Sequence, residues 1–294
     1  DAMGERTPVD DLRRGDHMLV RNALFGIATL ALLVGLPRVA GLATPLAIRG
    51  AWVGGGLIGI SLGYAQLRRA VTGYRFRGRI RADLSRQLVT VGVPNWLLTL
   101  VERAPGAMIP IAVTELISPE TNAAWYAAWM MAWVVYIIPI QIGLSQFAEA
   151  SHRPAELSRI VWQGVRLSLR VGAVAAVAAA ILGPVLLALL GPTYAETGTT
   201  PLRLLVLVAV PFTVIQAYYA VCRARNRLGE ATLVGLLSGA AGVAAAVLAG
   251  LASGVNAMAL AWLLTQTLTG IATVGRLRAL LRQAPPAPMP LGPS

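Results

Sequence analysis

The residues best suited to chemistry are polar side chains that interrupt long apolar segments. Asn95, Thr99, Glu102 and Gly106 follow the i, i+4, i+7, i+11 spacing of one helical face, and Arg103 lies beside that face. A charge at the centre of a bilayer costs at least about 2.5–3.5 kcal/mol, so it usually faces a cavity or a partner. We interpret this face either as part of a substrate pathway or as a Glu102–Arg103 pair that braces two helices.

Three further arginines lie inside or at the ends of apolar segments. Arg49 lies about one turn from the predicted outer end of its segment, Arg170 lies near an inner end, and Arg203 follows Pro201 at an outer end. Long cationic side chains at helix ends often extend to the membrane surface. The alternative is that these guanidinium groups bind an anionic substrate, since the planar fork of arginine suits phosphate.

An aromatic stripe occupies one face of a single predicted helix. Trp125, Trp129, Trp133 and Tyr136 are spaced i, i+4, i+8 and i+11. Trp125 is predicted to anchor the helix at the membrane surface. Trp129 and Tyr136 are predicted either to pack against another helix or to stack on the sugar rings of a substrate.

The sequence contains no arrangement typical of an enzyme or a metalloprotein. It has one cysteine and two distant histidines, and no nucleophile–base pair, paired carboxylates or phosphate-binding loop. We therefore predict no catalytic residues, no metal site and no cofactor. The arginines flank apolar segments without interleaved aromatic residues, so we predict no nucleic-acid partner.

The composition predicts an all-α integral membrane protein. Of 294 residues 56% are hydrophobic and 13% are charged, and the mean hydropathy is +0.66, whereas soluble domains carry about a quarter charged residues. Apolar runs long enough to cross a bilayer occur about eight times, at residues 18–37, 44–64, 88–112, 122–146, 161–190, 201–222, 231–251 and 255–274. Glycines at 54–56 and at 235, 239 and 242 are predicted to let neighbouring helices approach closely.

The distribution of arginine predicts the orientation. Arginine is concentrated in alternate connections, which include the turn after the sixth span and the C-terminal tail. The segment after the second span is the richest and holds Arg68, Arg69, Arg75, Arg77, Arg79, Arg81 and Arg86. The intervening connections around residues 113–122, 191–200 and 252–254 hold no arginine. The positive-inside rule then places both termini on the cytoplasmic side of a multi-pass protein of the cell membrane. The basic segment either sets topology or also contacts anionic membrane lipids.

Several short motifs follow one another in a recognisable order. They are Pro94-Asn95, the run 147–152 (FAEASH), Gly191-Pro192-x-Tyr194, the run 201–205 (PLRLL) and Arg223-x-Arg225-x-Arg227. Their order resembles the second half of polysaccharide exporters and lipid-linked oligosaccharide flippases of the Wzx type. These belong to the superfamily that also contains the multidrug antiporters and the lipid II flippases.

The resemblance implies a fold of two six-helix lobes that face each other across a central cavity. Residues 88–282 would form one complete six-helix lobe, and residues 1–66 a cytoplasmic segment with two helices of a truncated first lobe. Residues 67–87 would be a basic cytoplasmic linker and residues 283–294 a disordered proline-rich tail. The start lacks both Met and a signal peptide, and we expect a piece of a longer protein.

The function implied by the resemblance is flipping of an anionic polyprenyl-pyrophosphate-linked oligosaccharide by alternating access. The residues expected to bind it are Arg49, Asn95, Glu102, Arg103, Trp129, Tyr136, Arg170 and Arg203. Expected partners are membrane lipids and either the missing first-lobe helices or a glycan polymerase. One alternative is a cation-coupled multidrug antiporter, which would favour acidic residues in its cavity. A second is a membrane-embedded glycan polymerase or ligase, which would need a large outer loop. The third is a non-transporting scaffold of a glycan-assembly complex.

Overall fold

The described part of the chain is helical throughout. The computed structural model describes residues 15–40, 44–70 and 88–283, and these ranges contain no strand. Helix is expected there, because a backbone in lipid must satisfy its own polar groups. The expected fold class, an all-α membrane protein, is confirmed. Residues 71–87 of the predicted linker and 284–294 of the predicted tail lie outside the described residues, and the domain boundaries stay predictions.

The chain divides into two compact units, residues 1–81 and 82–294. The described part of the first unit is a pair of helices, α1 (Gly15–Ala40) and α2 (Thr44–Ala70), which pack on each other. Gly54 and Gly55 of α2 face side chains of α1, and a Cβ added at Gly54 would lie 2.6 Å from Leu32 Cδ1. The predicted close packing at residues 54–56 is thus confirmed at these two positions.

The second unit is a bundle built around two central elements. Its elements are a π-helical turn (Leu88–Gly92), α3 (Val93–Leu116), α4 (Pro119–His152), a 3-10 turn (Pro154–Glu156), α5 (Leu157–Leu190), α6 (Pro192–Leu207), α7 (Ala209–Ala224) and α8 (Leu228–Arg282). The helix α4 packs on α3, α5, α6 and α7, while α8 packs on α3, α6 and α7. The α3 helix therefore lies against α4 and α8, and α5 lies against α4, α6 and α7.

Two breaks set the number of membrane-crossing segments. Six described helices are long and apolar enough to cross a bilayer, and α6 with α7 forms a seventh segment that bends by 41° at Val208. The 55 residues of α8 would extend about 80 Å if straight, well beyond a bilayer. The chain breaks at Gly254, where φ is 80° and ψ is −175°. When residues 228–253 and 255–282 are counted as two segments, the described residues contain eight membrane-crossing segments, which is the number that the hydropathy predicts.

Two of the arginine-free connections are much shorter than the sequence predicts. The predicted loop at 191–200 is wrong, because α6 begins at Pro192 immediately after Gly191. Between α3 and α4 only Ile117 and Ser118 are not helical. The backbone N–H of Thr121 donates to Ser118 Oγ at 3.1 Å, which caps the start of α4. Hydropathy locates the hydrocarbon layer, but these helices continue beyond it into polar sequence.

Candidate functional site

The buried polar centre of the second unit joins α3 to α7. Arg223 donates from Nε to Asn95 Oδ1 at 3.1 Å and from Nη2 to Glu102 Oε2 at 3.4 Å. Gln216 donates from Nε2 to Glu102 Oε1 at 2.8 Å. The side chain of Arg223 is 4% exposed and that of Glu102 is 13% exposed. The two charges thus neutralise each other inside the bundle, as a buried pair must.

Helical geometry explains why these four residues meet. Asn95 and Glu102 are seven residues apart on α3, and Gln216 and Arg223 are seven apart on α7, so each pair lies on one face of its helix. Thr99, between them on α3, satisfies its own hydroxyl by donating to Asn95 O at 3.0 Å. The predicted polar face of α3 is therefore confirmed, and it faces the bundle interior.

The alternative in which Glu102 pairs with Arg103 is wrong. Adjacent residues on a helix point in different directions, and the partner of Glu102 is Arg223 of α7. Arg103 is exposed and places its guanidinium carbon 5.9 Å from the ring centroid of Trp133 on α4. Among the described residues it forms no ion pair.

A small cavity lies beside Glu102, between α3, α4, α7 and α8. Its volume is about 30 Å³, which is room for one or two water molecules. Six of its lining residues are aromatic, and the residues that bring polar groups to it include Glu102, Tyr219, Ser238 and Gln266. At this volume the cavity has no room for a sugar or a drug-sized molecule.

The aromatic stripe of α4 forms the wall of this cavity. Trp129 stacks near Trp125, Tyr136 and Trp262, with ring centroids 6.1, 6.3 and 5.6 Å away. Trp129 and Tyr136 are each 2% exposed, and Tyr136 donates its hydroxyl to Leu205 O at 2.6 Å. Both rings contact protein on all sides, so their predicted contact with sugar stays a prediction that requires the cavity to open. Trp125 is fully buried, and its predicted role as a surface anchor is wrong.

Neither Arg170 nor Arg203, the other predicted site residues of the second unit, lines this cavity. Arg170 lies on the exposed face of α5 and Arg203 on the exposed face of α6. Arg49 lies on α2 of the first unit and is also exposed. Their predicted substrate contacts stay predictions.

Sequence reasoning missed Arg223, Gln216 and Trp262. Arg223 stands in a basic turn with Arg225 and Arg227, and such a turn is typical of topology signals. The only signal that could have found it is the spacing of Gln216 and Arg223 on one face of an otherwise apolar helix.

Trp262 lies close to Gly242, where an added Cβ would be 2.7 Å from Trp262 Cζ3. That contact confirms the predicted close packing at the small residues of α8.

The fold, though not the sequence, matches known proteins. No protein-family model and no curated protein matches the sequence. The structure matches the outward-facing conformation of a multidrug resistance MATE family transporter of the MOP superfamily, with a TM-score of 0.72 and 11% identity over 90% of this chain and 63% of that chain. It also matches the inward-facing conformation of such a transporter, with a TM-score of 0.70 and 11% identity over 92% of this chain and 66% of that one.

A third match is a MOP superfamily transporter from Pyrococcus furiosus, whose binding pocket is described as reversed in polarity. The TM-score is 0.71, with 9% identity over 90% of this chain and 63% of that chain. The chain thus spans slightly less than two thirds of the length of these neighbours. The resemblance to the superfamily is supported at the level of fold, whereas the polysaccharide-flippase subclass stays a prediction. The protein has the all-helical membrane fold of the MATE transporters of the MOP superfamily.

Proposed function

We propose that this chain is part of a membrane transporter that moves an anionic amphiphile, of the class of lipid-linked oligosaccharide precursors, across the cell membrane. The observation that carries the proposal is Arg103. It is the eleventh of the 24 residues of α3, about 15 Å from the helix start and so near the middle of the span. Its guanidinium is exposed on the surface of the second unit.

A charged side chain exposed at this depth faces either lipid or a water-filled pathway. In hydrocarbon it costs at least about 2.5–3.5 kcal/mol, and within the described residues no carboxylate forms an ion pair with it. The surface around Arg103 and Trp133 is therefore better suited to a water-filled pathway than to lipid. A guanidinium beside an aromatic ring offers phosphate a bidentate donor and offers a sugar a stacking surface.

The charge balance of the interior favours an anionic substrate over a cationic drug. A carrier of organic cations needs an acidic side chain free to receive them. In this bundle the carboxylate of Glu102 is already engaged by Arg223 and Gln216. The neighbour from Pyrococcus furiosus, described as having a pocket of reversed polarity that suggests a different function, supports the view that pocket charge in this fold varies with substrate.

The test is glycan export in a strain that lacks its own flippase, using the protein as naturally encoded. We expect Arg103→Ala to abolish surface glycan while the protein still accumulates in the membrane. Arg103→Lys should retain part of the export, because the charge persists although the planar fork is lost. Arg278→Ala, which removes an exposed arginine at the end of α8, is the matched control and should export normally.

Two results would overturn the proposal. The first is wild-type export by Arg103→Ala. The second is efflux of cationic dyes driven by a sodium or proton gradient, with no rescue of glycan export, which would favour the multidrug alternative.

A further inference from the structure

The exposed face of α5 carries two unpaired arginines at the predicted boundary of the membrane. Residues 171–190 contain twenty positions without a charge, which span about 30 Å, the thickness of the hydrocarbon layer. Arg166 and Arg170 precede that segment, and both are exposed. Neither forms an ion pair with any described residue. By contrast, Arg159 is engaged by Glu156 at 3.3 Å.

The spacing of the two arginines suits one phosphate group. Residues four apart on a helix have Cβ atoms about 5–6 Å apart, so two guanidinium groups can hold one phosphate from both sides. Beside Arg166 is an open hollow of about 570 Å³, whose lining also includes Trp162 and Gln163 and the ion-paired Glu156 and Arg159. The indole of Trp162 is half-buried, and tryptophan is enriched at the level of lipid headgroups.

An apolar slot begins immediately deeper in the membrane on the same side of α5. It lies between α5 and the bend of α6 and α7, has a volume of about 160 Å³, and is lined by Gly172, Ala173, Ala176, Val177 and Val210 among others. Its two polar hydroxyls, Ser168 Oγ and Thr213 Oγ1, satisfy each other at 3.0 Å. An apolar cavity of about 150 Å³ is large enough for benzene, so the slot takes roughly six carbons of one chain.

The arginines and the slot are in register along the helix. Ala173 and Val177 stand seven and eleven residues after Arg166 and therefore continue its face. They lie about 4.5 and 10.5 Å beyond Arg170 along the helix axis. A ligand with an anionic head and an apolar chain running parallel to α5 would contact both features at once.

We propose that this face of α5 binds one anionic glycerophospholipid from the leaflet at the N-terminal end of α5. Its phosphate lies between Arg166 and Arg170, and one acyl chain enters the slot at the α6–α7 bend. Two unpaired cations favour a net anionic headgroup over a zwitterionic one, which brings its own cation. The site is separate from the proposed pathway, because α5 packs on α4, α6 and α7, whereas Arg103 belongs to α3. The inference is thus independent of the transported substrate.

The experiment is native mass spectrometry of the purified full chain titrated with phosphatidylglycerol or with phosphatidylcholine of the same acyl chains. We expect one phosphatidylglycerol to be retained preferentially. The Arg166→Gln, Arg170→Gln double variant should bind it about thirtyfold more weakly. The matched control is Arg278→Gln with Arg282→Gln, an exposed pair of the same spacing on α8, and it should bind normally.

A second variant tests the acyl slot. A Cβ added at Gly172 meets no atom within 4 Å, so this position has space for the start of a side chain. Since Gly172 lines the slot, Gly172→Leu should occupy part of it and weaken retention. Gly275→Leu, at an equally open glycine of α8, should not. Equal retention of the two phospholipids, or insensitivity to both the arginine and the Gly172 changes, overturns the proposal. Tighter binding of an isoprenoid diphosphate through the same arginines also overturns it, and would assign the site to a lipid-linked diphosphate.

Discussion

Arg223 and Glu102 are 121 positions apart in sequence, yet an Nη2–Oε2 contact of 3.4 Å joins them in the centre of the second unit. Arg223 stands in the last turn of α7, where an arginine would ordinarily extend outward to water. Its side chain instead turns into the bundle, where Asn95 accepts a hydrogen bond from Nε at 3.1 Å. This pair fixes the position of α3 against α7 and removes the free carboxylate that a cation carrier would use.

Breaking this ion pair should be costly. Removing one partner of a buried pair leaves an uncompensated charge and typically costs about 3–5 kcal/mol. We expect Glu102→Gln and Arg223→Gln each to lower the apparent melting temperature in detergent strongly. The double variant should lose less than the sum of the two, because no lone charge remains.

The control for this experiment is the exposed pair Glu149–Arg153, whose closest N–O distance is 4.0 Å on the surface of α4. Neutralising either residue should change stability by less than about 1 kcal/mol, as is usual for exposed pairs. If the Glu102 and Arg223 variants melt like this control, the pair does not hold α3 in place.

How much of this site the sequence predicts depends on how far apart along the chain the contacting residues are. The polar face of α3 is predictable, because Asn95, Thr99 and Glu102 repeat with the period of a helix. The partner of Glu102 is not, since Arg223 has the same local context as Arg225 and Arg227, of which the first is half-buried and the second exposed. Only the packing of α7 on the rest of the bundle distinguishes the buried Arg223 from these two.

The helix boundaries show a related limit. The polar run 193–200 (TYAETGTT) has the composition of a loop, and yet it belongs to α6. Hydropathy reports where a helix leaves hydrocarbon, while the helix itself ends where capping or a break stops its hydrogen bonds. The break at Gly254 is visible only as a glycine among other small residues, because its positive φ leaves no mark on composition.

The small residues of α8 give a prediction about packing. A Cβ at Gly242 would lie 2.7 Å from Trp262 Cζ3, so Gly242→Ala should displace the indole and destabilise the protein by about 1–3 kcal/mol. At Gly275 nothing lies within 4 Å of the added Cβ, and Ala there should stabilise the helix by about 0.5–1 kcal/mol. The melting temperatures of the two variants should move in opposite directions. If both move in the same direction, the Trp262 indole is displaced without a loss of stability.

The bend between α6 and α7 gives a prediction about hydrogen bonding. Tyr136 donates to Leu205 O at 2.6 Å, immediately before the bend at Val208. Tyr136→Phe removes this donor, while Leu205 O keeps the hydrogen bond that it accepts from Val208 N at 3.0 Å. The change should therefore cost about 0.5–1.5 kcal/mol. The neighbouring change Tyr126→Phe, at an exposed ring on the same helix, should be close to neutral. Equal melting temperatures for the two would mean that the bend does not depend on Tyr136.

The predicted orientation can be tested with single cysteines, because Cys222 is the only cysteine and is buried. In a Cys222→Ala background, cysteines are introduced at Glu120, in the first turn of α4, and at Arg278, near the end of α8; both positions are exposed. The arginine distribution predicts that Glu120 faces the outside and Arg278 the cytoplasm. A membrane-impermeant maleimide should therefore label Glu120→Cys in intact cells, and Arg278→Cys only after the membrane is permeabilised. The reverse pattern would invert the topology, and labelling of both positions in intact cells would require an even number of crossings between them.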